Sequence, residues 1–328
     1  MPHPFGTHVG VRRLITAAVA APSVHNTQPW RFRLDGSEVM DLHADPDRRL
    51  DVIDPRGRAL HISCGAALLN LRLAIRMTGH RPLVRPFPDG PDGPDGPGGT
   101  LLASVAAEPA PMPSLEQAEL YARIPHRRSN RRPFGRRQVP TPVRCALAAA
   151  ARAEGVLLQL PSPQTTAYLL SVLRAADERL TADAGYLAEL ERWTSLRARG
   201  DGVPRYAFGP RPSGRGVPMR DFGLAGPETG RPVDDFAARP QLGVLLTSGD
   251  GPRDWLRAGQ ALQRVLLTAE RHRVSASLLS QPMDMCVGTR TGTTGHIQAI
   301  VRLGYGPPVP GAPRRPYREV LTRTASPA

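Results

Sequence analysis

Two short stretches concentrate the residue types that could do chemistry. In Ala21-Pro22-Ser23-Val24-His25-Asn26-Thr27-Gln28-Pro29-Trp30, small polar residues stand between an expected helix end and a strand start. Ser23, Asn26 and Gln28, with nearby backbone amides, could face a planar polar ligand there. The same pattern also suits a plain helix C-terminal turn, with Ser and Asn capping and Trp30 entering the core. In Arg127-Arg128-Ser129-Asn130-Arg131-Arg132, guanidinium forks and a hydroxyl lie just ahead of a helix. A phosphate dianion needs this set, bidentate charge-assisted hydrogen bonds plus helix-start amides. The competing reading is a solvated basic face. Arg314-Arg315-Pro316 could bring a third cationic group to the same phosphate.

Composition narrows the chemistry further. All 43 basic residues are Arg, so Schiff-base enzymes, P-loop nucleotidases and protein kinases are excluded for want of a lysine amine. The chain has no Gly-x-Gly-x-x-Gly, Gly-x-Ser-x-Gly or His-Glu-x-x-His, which removes local support for Rossmann, serine-hydrolase and zincin readings. Three cysteines far apart in the chain signal neither a disulfide framework nor a zinc site, and a reducing cytoplasm is the expected location. Arg12-Arg13 ahead of Leu14 to Ala21 mimics a short twin-arginine signal, but that stretch reads better as an amphipathic helix. The net charge of +14 comes from arginines scattered along the chain without a nucleic-acid-binding signature, so nucleic acid is not expected as a partner. No apolar run approaches the roughly 20 residues of a membrane span.

The 328 residues, 40% hydrophobic and 22% charged, make a globular chain of one large or two ordinary domains. Val11, Leu14, Ile15, Ala18 and Val19 form one helical stripe. Trp30 to Leu34 and Glu38 to His43 read as a hairpin around Asp35-Gly36. A long helix follows from about Arg58 to Thr78, then strands Leu83 to Phe87 and Leu101 to Ala107 around the Gly-Pro-Asp tract 89–98. The second part repeats this grammar. It has a helix near Ser114 to Arg123, the basic run, a helix capped by Thr141 with Pro142 at its first position, and strand Val156 to Leu160. A helix carrying Leu169, Leu173, Ala176 and Leu180 runs on toward Trp193, and Gly200 to Arg239 is a Gly/Pro/Arg-rich segment expected as a lid or disordered loop. Strand Leu242 to Thr247, helix Asp254 to Arg271, and strands Val274 to Ser280 and His296 to Tyr305 complete an α+β order.

The run APS-x-x-N-x-QPW resembles the segment with which one subunit of nitroreductase-superfamily flavoproteins lines its partner's flavin. RRSNR resembles their FMN-phosphate grip, and Gly259-Gln260-Ala261-Leu262 and Arg302-Leu303-Gly304-Tyr305-Gly306 are further matches. In ordinary members the RRS-x-R run comes first; here the order is reversed, which resembles the Acg-type branch. Asp54-Pro55-x-Gly57-Arg58 and Ile62-Ser63-Cys64-Gly65-Ala66-Ala67 resemble that branch too, whereas the Gly/Thr-rich Met283 to Gly295 departs from it.

The resemblance implies two fused nitroreductase-like halves, a pseudo-dimer in one chain, over residues 1–110 and 111–328, with a lid at 200–239. It implies a single FMN that takes electrons from NADH or NADPH and passes them to a small-molecule acceptor such as a nitro-aromatic or quinone. A monomer would then suffice to bind flavin, and no protein nucleophile or base would be needed. Carried over by residue, Arg127, Arg128, Ser129 and Arg131 would hold phosphate and ribityl groups, closed by Arg314 and Arg315. Pro22, Ser23, Asn26 and Gln28 would face the isoalloxazine, and Ser280 and Gln281 would offer a backbone contact near N5. A non-catalytic FMN-storing protein with its lid shut is the alternative function.

Overall fold

The computed structural model describes residues 3–36, 38–88, 90, 99–194, 200–213, 216–224, 230–279 and 295–324. Ser280, Gln281 and most of the 283–295 segment lie outside the described residues, as do parts of 200–239.

The expected amphipathic helix is α1, His8–Val19, capped by Thr7, and its whole apolar stripe is buried. A ten-residue connection leads to strand β1, Trp30–Asp35, which pairs antiparallel with β2, Val39–Ala44. Helix α2, Arg58–Arg76, is followed by β3, His80–Pro86, and β4, Leu101–Pro109. These strands form one antiparallel run in the order β1-β2-β4-β3. Helix α3, Leu115–Arg123, opens with a capping box between Ser114 and Gln117, and its Leu120 and the adjacent Ile124 pack into this first core.

The second set begins with α4, Thr141–Arg152, and β5, Leu157–Gln159. Pro140, not Thr141, is the N-cap of α4, because its extended backbone starts the turn without any side-chain cap. The single helix expected toward Trp193 is two, α5 over Pro163–Thr181 and α6 over Ala184–Thr194. Asp183 makes the break, accepting the Tyr186 N–H through its side chain as a new helix start. Two-residue strands β6, Arg211–Pro212, and β7, Val233–Asp234, pair within the long segment. Strand β8, Gln241–Thr247, helix α7, Pro252–Arg271, and strands β9, Ser275–Leu279, and β10, His296–Gly304, complete the second sheet. Its order is β5-β8-β10-β9, again antiparallel, so strand for strand it repeats the first.

The chain end adds what no periodicity announced. After a single helical turn at Tyr317–Val320, strand β11, Leu321–Thr324, runs parallel beside β1 and extends the first sheet, pairing Phe32 with Leu321. Four residues carry too little pattern to read as a strand.

Helices α2 and α7 cross between the two sheets at Gly65 and Gly259. A Cβ on Gly65 would stand 2.2 Å from the Leu256 carbonyl oxygen, and one on Gly259 would stand 2.1 Å from that of Ile62. Only glycine at both positions lets the backbones meet. Next to this crossing, Gln263 donates to Asn70 Oδ1 at 2.8 Å and Asn70 donates to the Ala17 carbonyl, so the buried amides are linked to each other and to α1.

The described parts of 200–239 are packed. Val203, Phe208 and Phe222 join α5, α6, Leu50 and Ile53 in one apolar cluster, while Val217, Met219 and Phe236 pack with α5, β8 and β10 in another. Six dispersed apolar residues gave no periodic signal, yet each is buried.

Candidate functional site

The connection between α1 and β1 is bent by three departures from ordinary backbone within four residues. His25, Asn26 and Gln28 all have positive φ, at 49°, 54° and 52°. Such backbone is unusual for non-glycine residues and persists only where neighbours over-determine it. The restraints are visible. Ser23 Oγ accepts the Gln28 N–H at 2.9 Å, and Asn26 Nδ2 donates to the carbonyls of Gly202 at 2.9 Å and Pro313 at 3.1 Å. Arg314 donates to Asn26 Oδ1 at 2.9 Å. Fully buried Gln28 donates to the Gly200 carbonyl at 2.8 Å and accepts the Arg315 N–H at 2.9 Å.

The basic run lies opposite, in extended loop after α3. Arg302 of β10 shapes it, donating to the carbonyls of Asn130 at 3.1 Å and Arg132 at 2.8 Å while its guanidinium stacks 3.8 Å from the Phe134 ring centre. Burial pushes Arg302 down to about 9.

Two adjoining cavities fill the space between these loops and the α2–α7 crossing. One is polar, lined by Pro22, Ser23, Asn26, Arg127, Arg128, Ser129, Arg131 and Arg314, with Gly311 and Ala312. The other is mostly apolar, walled by Ile62 of α2, Leu262 of α7, Leu278 and Leu279 of β9, Ala299 and Ile300 of β10, and Met219 and Phe222 of the long segment. Ser23, Ser129 and Arg131 belong to both.

Charge in the polar cavity is unbalanced. Arg127, Arg128, Arg131 and Arg314 converge there, and none of them makes an ion pair with a described residue. Burial, together with Arg314, Arg128 and Arg131, pushes Arg127 down to about 9. Burial holds Arg131 and Arg314 at about 10, helped by Arg220 for the first and by Arg128 for the second. All three remain cationic at neutral pH. Arg127 Nε and Nη1 and Arg314 Nε are buried with no hydrogen-bond partner among the described residues, which is the condition an anion would relieve. Arg131 donates to the Ala207 carbonyl at 3.0 Å and lies 4.6 Å over Phe222, so one guanidinium touches both the cavity and the segment that covers it.

The structure therefore brings together Pro22, Ser23, Asn26, Arg127, Arg128, Ser129, Arg131 and Arg314. Gln28 and Arg315 line neither cavity. Arg315 instead faces Asp45 at 3.5 Å and the Glu319 carbonyl at 3.1 Å, tying the chain end behind the loop. Sequence reasoning missed His25, Met219, Arg220 and Phe222. His25 stood inside a run already singled out, whereas the other three sit in a segment with no periodic pattern. Asp54, noted only as part of a motif, accepts the Ala59 and Leu60 N–H groups at 3.0 and 2.8 Å and so starts α2 at the cavity wall.

Fold and site together define an α+β protein with a two-part interior cleft, suited to an elongated ligand that is apolar at one end and anionic at the other. Two proteins of Mycobacterium tuberculosis bearing the name "Putative NAD(P)H nitroreductase" match nearly the whole chain. One, Rv3131, is 34% identical over 324 residues, covering 95% of this chain and 90% of its own. The other, Acg, is 29% identical over 330 residues, covering 98% of each. The chain belongs to this nitroreductase family. A solved nitroreductase with bound FMN from Desulfitobacterium hafniense is 13% identical, with a TM-score of 0.37, covering 65% of this chain and all of that one. No protein-family model matches the chain.

Proposed function

We propose that this protein is an FMN-dependent oxidoreductase of nitroreductase type, passing electrons from NADH or NADPH to a small-molecule acceptor such as a nitro-aromatic or a quinone. One observation carries the reading: an arginine cavity, without a counterion among the described residues, opens through Ser23, Ser129 and Arg131 into an apolar cavity. When bound, FMN supplies the hydride chemistry. The protein's part is to hold and orient it. Arg127, Arg128 and Arg314 neutralise the phosphate, Arg131 and Ser129 guide the chain between the cavities, Ser23 borders the ring, and Pro22 lines the polar cavity beside it. Asn26 acts through Arg314, while Gln28 and Arg315 keep the loop in place.

The repeated strand order and the helix crossing support two fused halves in one chain. They also support a single site, because ten residues join α1 to β1 whereas four join α4 to β5, too few to build a second cofactor loop. A monomer then suffices for flavin. Among the described residues no helix is long and apolar enough to cross a membrane, and Cys64 and Cys145 are free, which fits a reducing cytoplasm.

The second reading, an FMN-storing protein without turnover, is favoured by Met219, Arg220 and Phe222, which reach over the apolar cavity from the long segment. Flavin content and steady-state NADH and NADPH oxidation with a nitro-aromatic or quinone decide. One FMN per chain with acceptor-dependent oxidation is expected. Bound FMN without turnover gives the storage reading, and failure to bind FMN on reconstitution overturns both.

A further inference from the structure

His25 has a role that the family motif does not assign. It is buried, lines the apolar cavity, and is held at a φ of 49°. Arg220 Nη1 lies 3.0 Å from its Nε2, and Phe222 packs edge-on against the ring at 5.5 Å. A guanidinium has only donors, so Nε2 must present its lone pair. Burial, Arg220 and Arg131 hold the imidazole well below its usual titration range, so the ring is neutral and its one proton sits on Nδ1. That Nδ1–H is buried and has no acceptor among the described residues. A buried donor at the wall of a cavity, fixed in tautomer and without a partner among the described residues, suits an acceptor that a ligand in that cavity would offer.

We propose that His25 is a cofactor-contacting residue that donates its Nδ1–H to an acceptor atom on the ring system of the bound flavin, with Arg220 as the positioning residue that fixes the tautomer. The inference rests on the flavin reading above. The left-handed backbone fits this role, because it sets the imidazole between the segment carrying Arg220 and the cavity. The donor faces ring atoms common to FMN and riboflavin and is separate from the phosphate grip. Its loss therefore weakens both ligands alike and leaves their affinity ratio unchanged.

Two substitutions separate donation from packing. In His25→Asn the amide nitrogen stands near the Nδ1 position, and Asn tolerates positive φ. In His25→Gln the amide reaches the Nε2 position and can accept from Arg220, but offers no donor at Nδ1. FMN and riboflavin are titrated into wild type and both variants, and the visible absorption band of the bound flavin is recorded. Imidazole 15N–1H spectra of wild type are collected before and after flavin addition, with the His25 signal identified by its loss in His25→Asn. Expected are an Nδ1–H tautomer whose proton signal moves on flavin binding, and about tenfold weaker binding of both flavins with a shifted band in His25→Gln. His25→Asn should bind within about threefold of wild type. An Nε2–H tautomer, a His25 signal unmoved by bound flavin, or unchanged affinity and spectrum in His25→Gln would each overturn the proposal while leaving the flavin reading intact. Failure of wild type to bind either flavin removes the flavin reading, and this proposal with it. The wild-type spectra decide even where one variant does not fold, because loss of the His25 signal in the other still identifies it.

Discussion

Replacing Arg127 by Met should move stability and cofactor affinity in opposite directions. Arg127 is 4% exposed, and the fall of its guanidinium from the ordinary arginine value to about 9 marks a penalty on its charge. At 1.36 kcal/mol per pKa unit that penalty is on the order of 4–5 kcal/mol. Water entering the cavity relieves part of it, and Met preserves the apolar stem, so the apo protein should gain about 1–2 kcal/mol. Its Tm should rise by roughly 2–4 °C per kcal/mol. The sign with pH follows from linkage. Above about 9, up to the ordinary arginine value, the unfolded chain holds this proton more tightly than the native one, so the wild-type deficit shrinks as pH rises through that window. With FMN the sign inverts, because a charge-assisted contact worth about 1.5–3 kcal/mol is lost and affinity should fall about 10- to 150-fold. Riboflavin, without the phosphate, should change less than about threefold. Calorimetric melting of apo protein and flavin titration by fluorescence quenching check both halves. A lower apo Tm with equal losses for FMN and riboflavin would show that Arg127 supports the fold and not a phosphate.

Inorganic phosphate should raise the apo Tm of wild type more than that of Arg127→Met, as mass action on an unbalanced cationic cavity requires; equal shifts in a thermal scan would count against the anion site. Gly65→Ala places a methyl carbon 2.2 Å from the Leu256 carbonyl oxygen, and chemical denaturation should show a loss of about 3 kcal/mol or more. Asn26→Ala strips partners from Gly202, Pro313 and Arg314, so faster FMN release and earlier proteolytic cutting near 200–224 are expected, read by flavin fluorescence and timed digestion. His25 titrates well below 6.5 in the folded state, so the unfolded chain binds the extra proton first and stability falls with pH below 6.5. Wild type should therefore lose about 1–2 kcal/mol more than His25→Asn between pH 7 and 5, measured by urea denaturation at each pH.

Most elements were legible because each carries its own local pattern. The stripe of α1, the Gly-stopped α2 and the alternation of β10 follow from which residues must face an apolar core, a requirement that acts within one turn or one pleat. The arginine cluster of the polar cavity was legible for a similar reason, since RRSNR gathers its guanidinium groups within five positions. The tertiary structure decided what depends on residues distant in sequence. It placed β11 beside β1, met α2 with α7 at two glycines, and divided the quoted motif so that Asn26 lines a cavity while Gln28 is buried behind it. It also packed a patternless segment over His25 and thereby fixed the imidazole's tautomer. Hydrogen-bond partners 172 to 288 residues away settled each of these side-chain fates, and no local propensity encodes a contact of that separation.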